Sequence, residues 1–188
     1  AAALADTHAV LCALSGENWD AELSPWPAPR AFRRGSDFSG GAPESLDFLC
    51  STVLPAAESA LGLAAPPRGI AGYSLAGLFA LWASLQRPGF SLAAGMSASL
   101  WYDGFADGLE ARRPPALPRY AYLSLGSAEP RARDPRLAAV GTCTERTAQR
   151  LASLGCAVDF HAESGGHFQD IPQRCARGLP SPVSGALS

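Results

Sequence analysis

The sequence predicts an α/β fold: a three-layer sandwich in which a mostly parallel sheet carries helices on both faces. Two observations support this class. Short apolar runs that are typical of buried strands alternate along the chain with longer runs that have helical spacing. Residues with catalytic potential follow the ends of the predicted strands, which is the edge where open parallel sheets bind ligands. For 188 residues, of which 47% are hydrophobic, we expect one domain with one core, spanning residues 1–188.

The composition narrows the possible partners and cofactors. The net charge of −2 argues against nucleic acid, because such a partner requires a basic surface. No apolar run reaches ~18 residues, so no membrane span is expected, and the N-terminal AAALAD does not resemble a signal peptide. The five cysteines form no C-x-x-C pair, which argues against zinc and favours the reducing cytoplasm. No lysine is present, which excludes Ser–Lys and Schiff-base chemistry. We expect no metal or organic cofactor.

The first predicted strand, His8–Leu14, is continuously apolar and contains Cys12. Residues 15–43 follow as a long loop that is rich in proline, glycine and aromatic residues. A loop of this length in a compact domain is commonly functional, and its aromatic residues indicate order. We interpret it as a lid or substrate wall, and the alternative is that its rings only cover the sheet edge. Those rings belong to Trp19, Trp26, Phe32 and Phe38.

Helical spacing predicts a helix over residues 43–61, which Pro55 is expected to kink. Residues 68–71 then form a strand, and residues 75–85 form an apolar, buried helix. The junction between them contains Ser74.

The junction GYSLAG, residues 72–77, predicts a nucleophile elbow. Such a sharp turn strains the serine backbone and exposes the hydroxyl of Ser74 at the top of the sheet. Gly72 and Ala76 are small because strand and helix pass close to each other there. Ala76 stands where the pattern G-x-S-x-G usually has glycine, and one extra methyl group is tolerable. The N–H of Leu75, in the first turn of the helix, could stabilise an oxyanion.

A serine nucleophile needs a neighbouring base, and His167 is the candidate. Residues 158–162 alternate like the end of a strand, and the glycine-containing loop after them can deliver the imidazole over the sheet edge. His161 lies within that strand and is interpreted as packed or exposed on one face. His8 is interpreted as a surface residue.

The acid that orients the histidine should follow the strand predicted over residues 120–125. Glu129 is nearer the strand end and is preferred. Asp134 is the alternative, although it precedes a proline and could equally cap a turn. A third possibility is a Ser–His dyad without an acid, since the acid mainly fixes the tautomer and stabilises the imidazolium.

The remaining segments complete the alternation. A strand over residues 92–96 leads into SASLWY at the same sheet end as Ser74, and residues 103–119 form a proline-rich connection. A helix over residues 142–154 ends at a glycine. The tail from Gly178 to residue 188 is expected to be frayed.

The chain resembles the esterase branch of the α/β-hydrolases, which includes siderophore esterases of the enterochelin type. The resemblance covers residues 8–177, and its motifs are NWDAELSPWPAP, GYSLAGLFALW, SASLWYDGF, YLSLGSAEPRARDP, VGTCTERTAQRL and GGHFQD. It implies Ser74 as nucleophile and His167 as base. Relatives often carry aspartate where this chain has Ser127, whereas Glu129 matches an acidic position that this subgroup of mostly bacterial proteins also keeps.

The same resemblance implies a difference at the N-terminus. Relatives have additional strands before residue 8, and a loop after one of them supplies the second oxyanion donor. We expect this chain to lack these first strands, so that Leu75 is the remaining donor unless residues 15–19 substitute. An exposed sheet edge would also favour pairing into a homodimer.

Three functions are consistent with these residues. The first is a serine hydrolase of small-molecule carboxylic esters, with Trp19, Trp26, Trp101 and Tyr102 lining an aromatic pocket. The second is acyl transfer to an alcohol or thiol. The third is a binding protein that has kept the fold without turnover. The arginines at 131, 133 and 136 could hold an anionic substrate group, but a solvated basic loop or an ion pair with Glu129 or Asp134 is the simpler expectation.

Overall fold

The N-terminal segment differs from the prediction. The structure, a computed structural model, describes residues 9–31 and 35–179; His8, Phe32 and the tail beyond residue 179 lie outside the described residues. Residues 9–14 form no strand, and Val10 and Leu14 are 59% and 58% exposed. The predicted strand is therefore wrong for the residues described. An apolar run becomes a strand only when a neighbouring strand satisfies its backbone groups.

Residues 15–43 contain short elements instead of a continuous loop. Helix α1 covers Trp19–Glu22, and the strands β1 (Pro27–Ala28) and β2 (Phe38–Ser39) pair with each other in antiparallel fashion. Phe38 is buried in the main core, which ties this segment to the body of the domain.

The predicted first long helix consists of three pieces. Helix α2 (Ala42–Phe48) continues through a π-helical turn (Leu49–Val53) into α3 (Leu54–Ala60). Pro55 lacks an N–H and its ring collides with the preceding turn of a regular α-helix. The π-helical turn ends just before the turn that contains Pro55, and the kink predicted at this proline stays a prediction.

Four parallel strands form the main sheet. They are β3 (Arg68–Tyr73), β4 (Phe90–Met96), β5 (Tyr120–Gly126) and β6 (Ala157–Glu163), in the order β3-β4-β5-β6. Since parallel strands point the same way, the carboxyl ends of all four meet at one edge. Among the described residues no strand adjoins the outer side of β3, so the sheet ends there.

Helices cover both faces of this sheet, as predicted. Helices α4 (Leu75–Gln86) and α7 (Val140–Ser153) share a core with one face, through residues such as Leu78, Leu81, Leu123 and Leu151. Helix α8 (Ile171–Gly178) lies on the other face, where Cys175 packs against Ala94, Met96 and Tyr122.

Besides two four-residue helices, α1 and Pro135–Ala138, two longer helices were missed. Helix α5 (Phe105–Ala111) interrupts the predicted connection 103–119, and α8 precedes the predicted tail. Gly178 is buried, and a Cβ there would lie 2.3 Å from Met96 Sδ, so it belongs to the packed core and not to a frayed end. The short helix α6 (Pro135–Ala138) completes the set. Over residues 9–31 and 35–179, no helix is both long and apolar enough to cross a membrane.

Candidate active site

Ser74 occupies the turn between β3 and α4, as predicted. Its backbone has φ 58° and ψ −122°, a conformation that costs a non-glycine residue free energy. Its N–H donates to the Met96 carbonyl at 3.0 Å, which ties the turn to β4. A Cβ at Gly72 would lie 2.2 Å from the Ala76 carbonyl oxygen, so only glycine fits where strand and helix cross. The turn thereby holds the serine hydroxyl at the carboxyl edge of the sheet.

His167 reaches this hydroxyl from the loop after β6. Its Nε2 lies 3.0 Å from Ser74 Oγ, and its side chain is 25% exposed. The Tyr73 hydroxyl donates to the backbone carbonyl of His167 at 2.6 Å, and the two rings are in contact with centroids 5.4 Å apart. Gly165 has φ +85°, which provides the turn expected in the loop. The neighbour of Ser74 therefore also anchors the histidine.

Glu129 lies behind the imidazole in a 3₁₀ turn that follows β5. Its Oε2 is 2.8 Å from His167 Nδ1, and its Oε1 accepts hydrogen bonds from Ser97 Oγ at 2.7 Å and from the Gly126 N–H at 2.8 Å. Burial alone would raise the pKa of this carboxyl. The hydrogen bonds from His167, Ser97 and Gly126 outweigh burial, so the pKa of Glu129 lies below its ordinary value and the group is an anion at neutral pH.

Arg174 was not anticipated from the sequence. Its side chain is fully buried, and its Nη1 lies 3.3 Å from Glu129 Oε1 and 3.0 Å from Ser97 Oγ. Its Nη2 donates to the Ser164 carbonyl at 2.7 Å, at the start of the histidine loop. One guanidinium thus contacts the carboxylate of Glu129, the Ser97 hydroxyl after β4 and the loop that carries His167. The sequence indicated this residue only as one arginine among many, and the helix that contains it was not predicted.

The other polar candidates lie elsewhere. Asp134 caps α6 by accepting from the Arg136 N–H at 2.8 Å. His161 is exposed and pairs with Asp159 on the α8 face of the sheet. Arg136 pairs with Asp103 at 2.9 Å, and its guanidinium lies over the Trp101 ring at 5.1 Å. This arginine does make an ion pair, but with a different partner from the two expected. Arg131 lines the cavity beside His167, and Arg133 is exposed.

The four predicted aromatic residues divide into two pairs. Trp19 and Trp101 line the space around Ser74. Tyr102 is 1% exposed and its hydroxyl donates to the Trp26 carbonyl, while the Trp26 indole donates to the Asp103 carbonyl at 2.9 Å. Burial raises the pKa of Tyr102 to about 12. Tyr102 and Trp26 therefore brace each other behind the site instead of facing it.

Two cavities lie at the site, the smaller lined by Ser74 and the larger by His167, and both are lined by Trp101. The small cavity, of about 60 Å³, lies where α4 begins. Its lining includes Ser74, Leu75, Ser99, Trp101 and, from α1, Trp19 and Asp20. The predicted oxyanion donor, Leu75, therefore borders this space, and so does Trp19, at the end of the segment 15–19 that was one alternative for the second donor.

The large cavity, of about 260 Å³, lies beside the imidazole. Its wall is mostly apolar, with Trp101, Ala128, Ala132, Leu137, Val140 and Phe168. The rest of the lining is Gly166 and the polar residues Ser97, Glu129, Arg131 and His167.

Comparison with known proteins agrees with this architecture. Residues 4–153 match the family described as "Putative esterase". The chain is 30% identical over 125 residues to the uncharacterized protein YbbA of Bacillus subtilis, an alignment that covers 65% of this chain and 50% of YbbA. The chain thus spans about half the length of that relative.

Solved structures share the fold at low sequence identity. Siderophore hydrolase EstB from Aspergillus nidulans has a TM-score of 0.66 at 22% identity, covering 91% of this chain and 67% of EstB. An IroE-like serine hydrolase from Shewanella oneidensis has a TM-score of 0.69 at 18% identity, covering 87% of this chain and 56% of that protein. The family match extends over most of the sequence and the folds agree, so the chain belongs to the Putative esterase family and has an α/β-hydrolase fold.

Proposed function

We propose that this protein is a serine hydrolase that cleaves carboxylic esters through an acyl-enzyme on Ser74. The observation that carries the proposal is the unbroken relay from Ser74 Oγ to His167 Nε2, at 3.0 Å, and from His167 Nδ1 to Glu129 Oε2, at 2.8 Å. These distances are within the range at which a base takes a proton from a hydroxyl. Membership of an esterase family and the fold of the hydrolases named above support the same reaction class.

The chemistry follows from these positions. His167 Nε2 takes the hydroxyl proton as Ser74 Oγ attacks the ester carbonyl, and the Leu75 N–H faces the oxygen that becomes negative. The carbon–oxygen bond to the alcohol then breaks, and the alcohol leaves with the proton that His167 carried. Water, deprotonated by the same imidazole, attacks the acyl-enzyme, and the imidazolium returns this proton to Ser74 Oγ as the bond to the acyl group breaks. Throughout, Glu129 accepts from the Nδ1–H and stabilises the imidazolium.

The test is hydrolysis of p-nitrophenyl acetate by the wild type, Ser74→Ala and a control, Ser153→Ala, whose hydroxyl caps the far end of α7. We expect Ser74→Ala to lose at least about 10⁴-fold in kcat, while the control keeps wild-type activity. A fluorophosphonate probe should label Ser74 in the wild type.

A folded wild type that is neither labelled nor active would overturn the proposal. It would favour the alternative of a binding protein that keeps the fold without turnover.

A further inference from the structure

The two cavities at the site differ about fourfold in volume and border different groups of the relay. The larger, about 260 Å³, contacts His167 and the turn that carries Glu129. The smaller, about 60 Å³, contacts Ser74, Leu75 and Ser99. Trp101 lines both cavities. Its indole is 9% exposed and lies under the Arg136 guanidinium, which itself donates to the Pro29 carbonyl at 2.7 Å and pairs with Asp103. These contacts hold the wall that the two cavities share.

The reaction decides which part of an ester faces which cavity. The leaving oxygen must receive its proton from His167 Nε2, so the alcohol side of the ester has to lie next to the imidazole. The carbonyl oxygen must face the Leu75 N–H. The acyl substituent takes the remaining direction around the tetrahedral carbon, away from the imidazole and on the side of the small cavity.

From this we infer that the site selects esters of a short acyl group with a bulky, apolar alcohol; the inference rests on the proposed function. A water-sized group needs ~15 Å³ of cavity volume. The small cavity then holds roughly four such groups, which corresponds to an acyl chain of about two to four carbons. By the same measure the large cavity holds roughly seventeen groups, enough for a bicyclic aromatic ring, and its apolar wall favours one.

A pair of isomeric esters tests the orientation directly. In 2-(2-naphthyl)ethyl acetate the ring is on the alcohol, whereas in methyl 3-(2-naphthyl)propanoate the same ring is on the acyl group. The two have the same atoms and alcohols of similar acidity, so a difference in kcat/KM reports where the ring fits. We expect the acetate to be preferred at least about tenfold, as is typical when a pocket accepts or rejects an apolar group.

A variant in the wall of either cavity should shift the ratio of kcat/KM between the two isomeric esters. Trp19→Ala removes an indole that is 46% exposed from the wall of the small cavity, and should raise kcat/KM for the propanoate. Ala132→Phe fills the large cavity, and should lower kcat/KM for the naphthylethyl acetate more than for ethyl acetate. Ala152→Phe, exposed on α7 away from both cavities, is the matched control and should leave the ratio unchanged.

The outcomes separate the two proposals. Equal rates for the isomers, or a preference for the propanoate, would overturn the orientation and leave ester hydrolysis standing. No hydrolysis of any ester by folded protein that the fluorophosphonate also fails to label would overturn both.

Discussion

The two carboxylate oxygens of Glu129 have different partners. One faces the imidazole of His167, while the other is shared among Ser97, the Gly126 N–H and the buried Arg174. Because a cation lies 3.3 Å behind the carboxylate, the negative charge that His167 experiences is partly compensated. Tyr73 contacts the imidazole through its ring, and its hydroxyl donates to the backbone carbonyl of His167. Arg174 is thus a positioning residue for the acid.

Replacing this guanidinium should lower kcat and leave KM nearly unchanged, because Arg174 holds the acid and lines neither cavity. In Arg174→Met, Glu129 loses its ion pair and the Ser164 carbonyl loses its donor, so the carboxylate and the histidine loop are held less firmly. We expect kcat to fall by about 10- to 100-fold, as is typical when a catalytic group is misplaced. Arg174→Lys restores a cation and should return most of kcat. Equal losses of kcat in both variants would contradict this and reduce Arg174 to a packing role.

The lowered pKa of Glu129 also predicts how stability varies with pH. A carboxyl whose pKa is lower in the folded protein stabilises the fold above its unfolded pKa, near 4.5, and that contribution is lost as pH falls through the folded value. Glu129→Gln removes it and leaves Arg174 without its ion pair. The wild type should therefore exceed Glu129→Gln in Tm at pH 7, and the gap should narrow towards pH 3. A gap that stays constant between these pH values would show that the charge of Glu129 does not stabilise the fold.

At the scale of the elements, the crossing of β3 and α4 determines where the serine lies. A methyl group at Gly72 would collide with the Ala76 carbonyl, and backbone cannot move aside as a flexible side chain can. We expect Gly72→Ala to lower the free energy of unfolding by about 1–3 kcal/mol or more. Activity should fall with it, because the turn that carries Ser74 must shift.

A second glycine gives the matched comparison. Gly108 is exposed inside α5, and a Cβ there would meet nothing within 4 Å. Gly108→Ala should raise the free energy of unfolding by about 0.5–1 kcal/mol, because alanine loses less backbone entropy in a helix. Urea unfolding of both variants tests the pair. If both variants changed the free energy of unfolding equally, the crossing of β3 and α4 would have to move to relieve the collision at Gly72.

The elements that could be predicted from sequence are those whose signal is local. The elbow, the strands β4–β6 and helix α7 are each indicated by residues within their own span. The strand predicted over residues 8–14 failed because a strand depends on a partner that its own sequence does not specify. Helix α8 and Arg174 were missed because the segment from 171 to 178 is polar and short, and its role appears only when β4, β5 and the histidine loop surround it.

At the scale of the whole molecule, the outer side of β3 is the notable surface. No strand pairs with it among the described residues, and Ala71 at its centre is exposed. An unpaired edge of this kind favours association with another strand, and we expect the homodimer predicted from the sequence to form there. Sedimentation at rising protein concentration should show a dimer that Ala71→Lys weakens.

The opposite edge of the sheet provides the control. Ala157 is exposed on β6, so Ala157→Lys adds the same charge at the other end of the strand order and should leave the dimer intact. A monomer at every concentration, or equal weakening by both lysines, would contradict pairing through β3.

The position of α8 has a consequence for the timing of biosynthesis. Ser74 and Glu129 are translated well before His167, and the guanidinium that secures Glu129 arrives later still, on the last helix described. Chains begin to fold while the ribosome is still adding residues. In the proposed hydrolase, a nascent chain would carry its serine without a base until His167 has left the ribosome, and without the support of Arg174 until α8 has docked against the sheet. The growing polypeptide would thus be inert towards esters in its surroundings until the histidine loop and α8 have emerged.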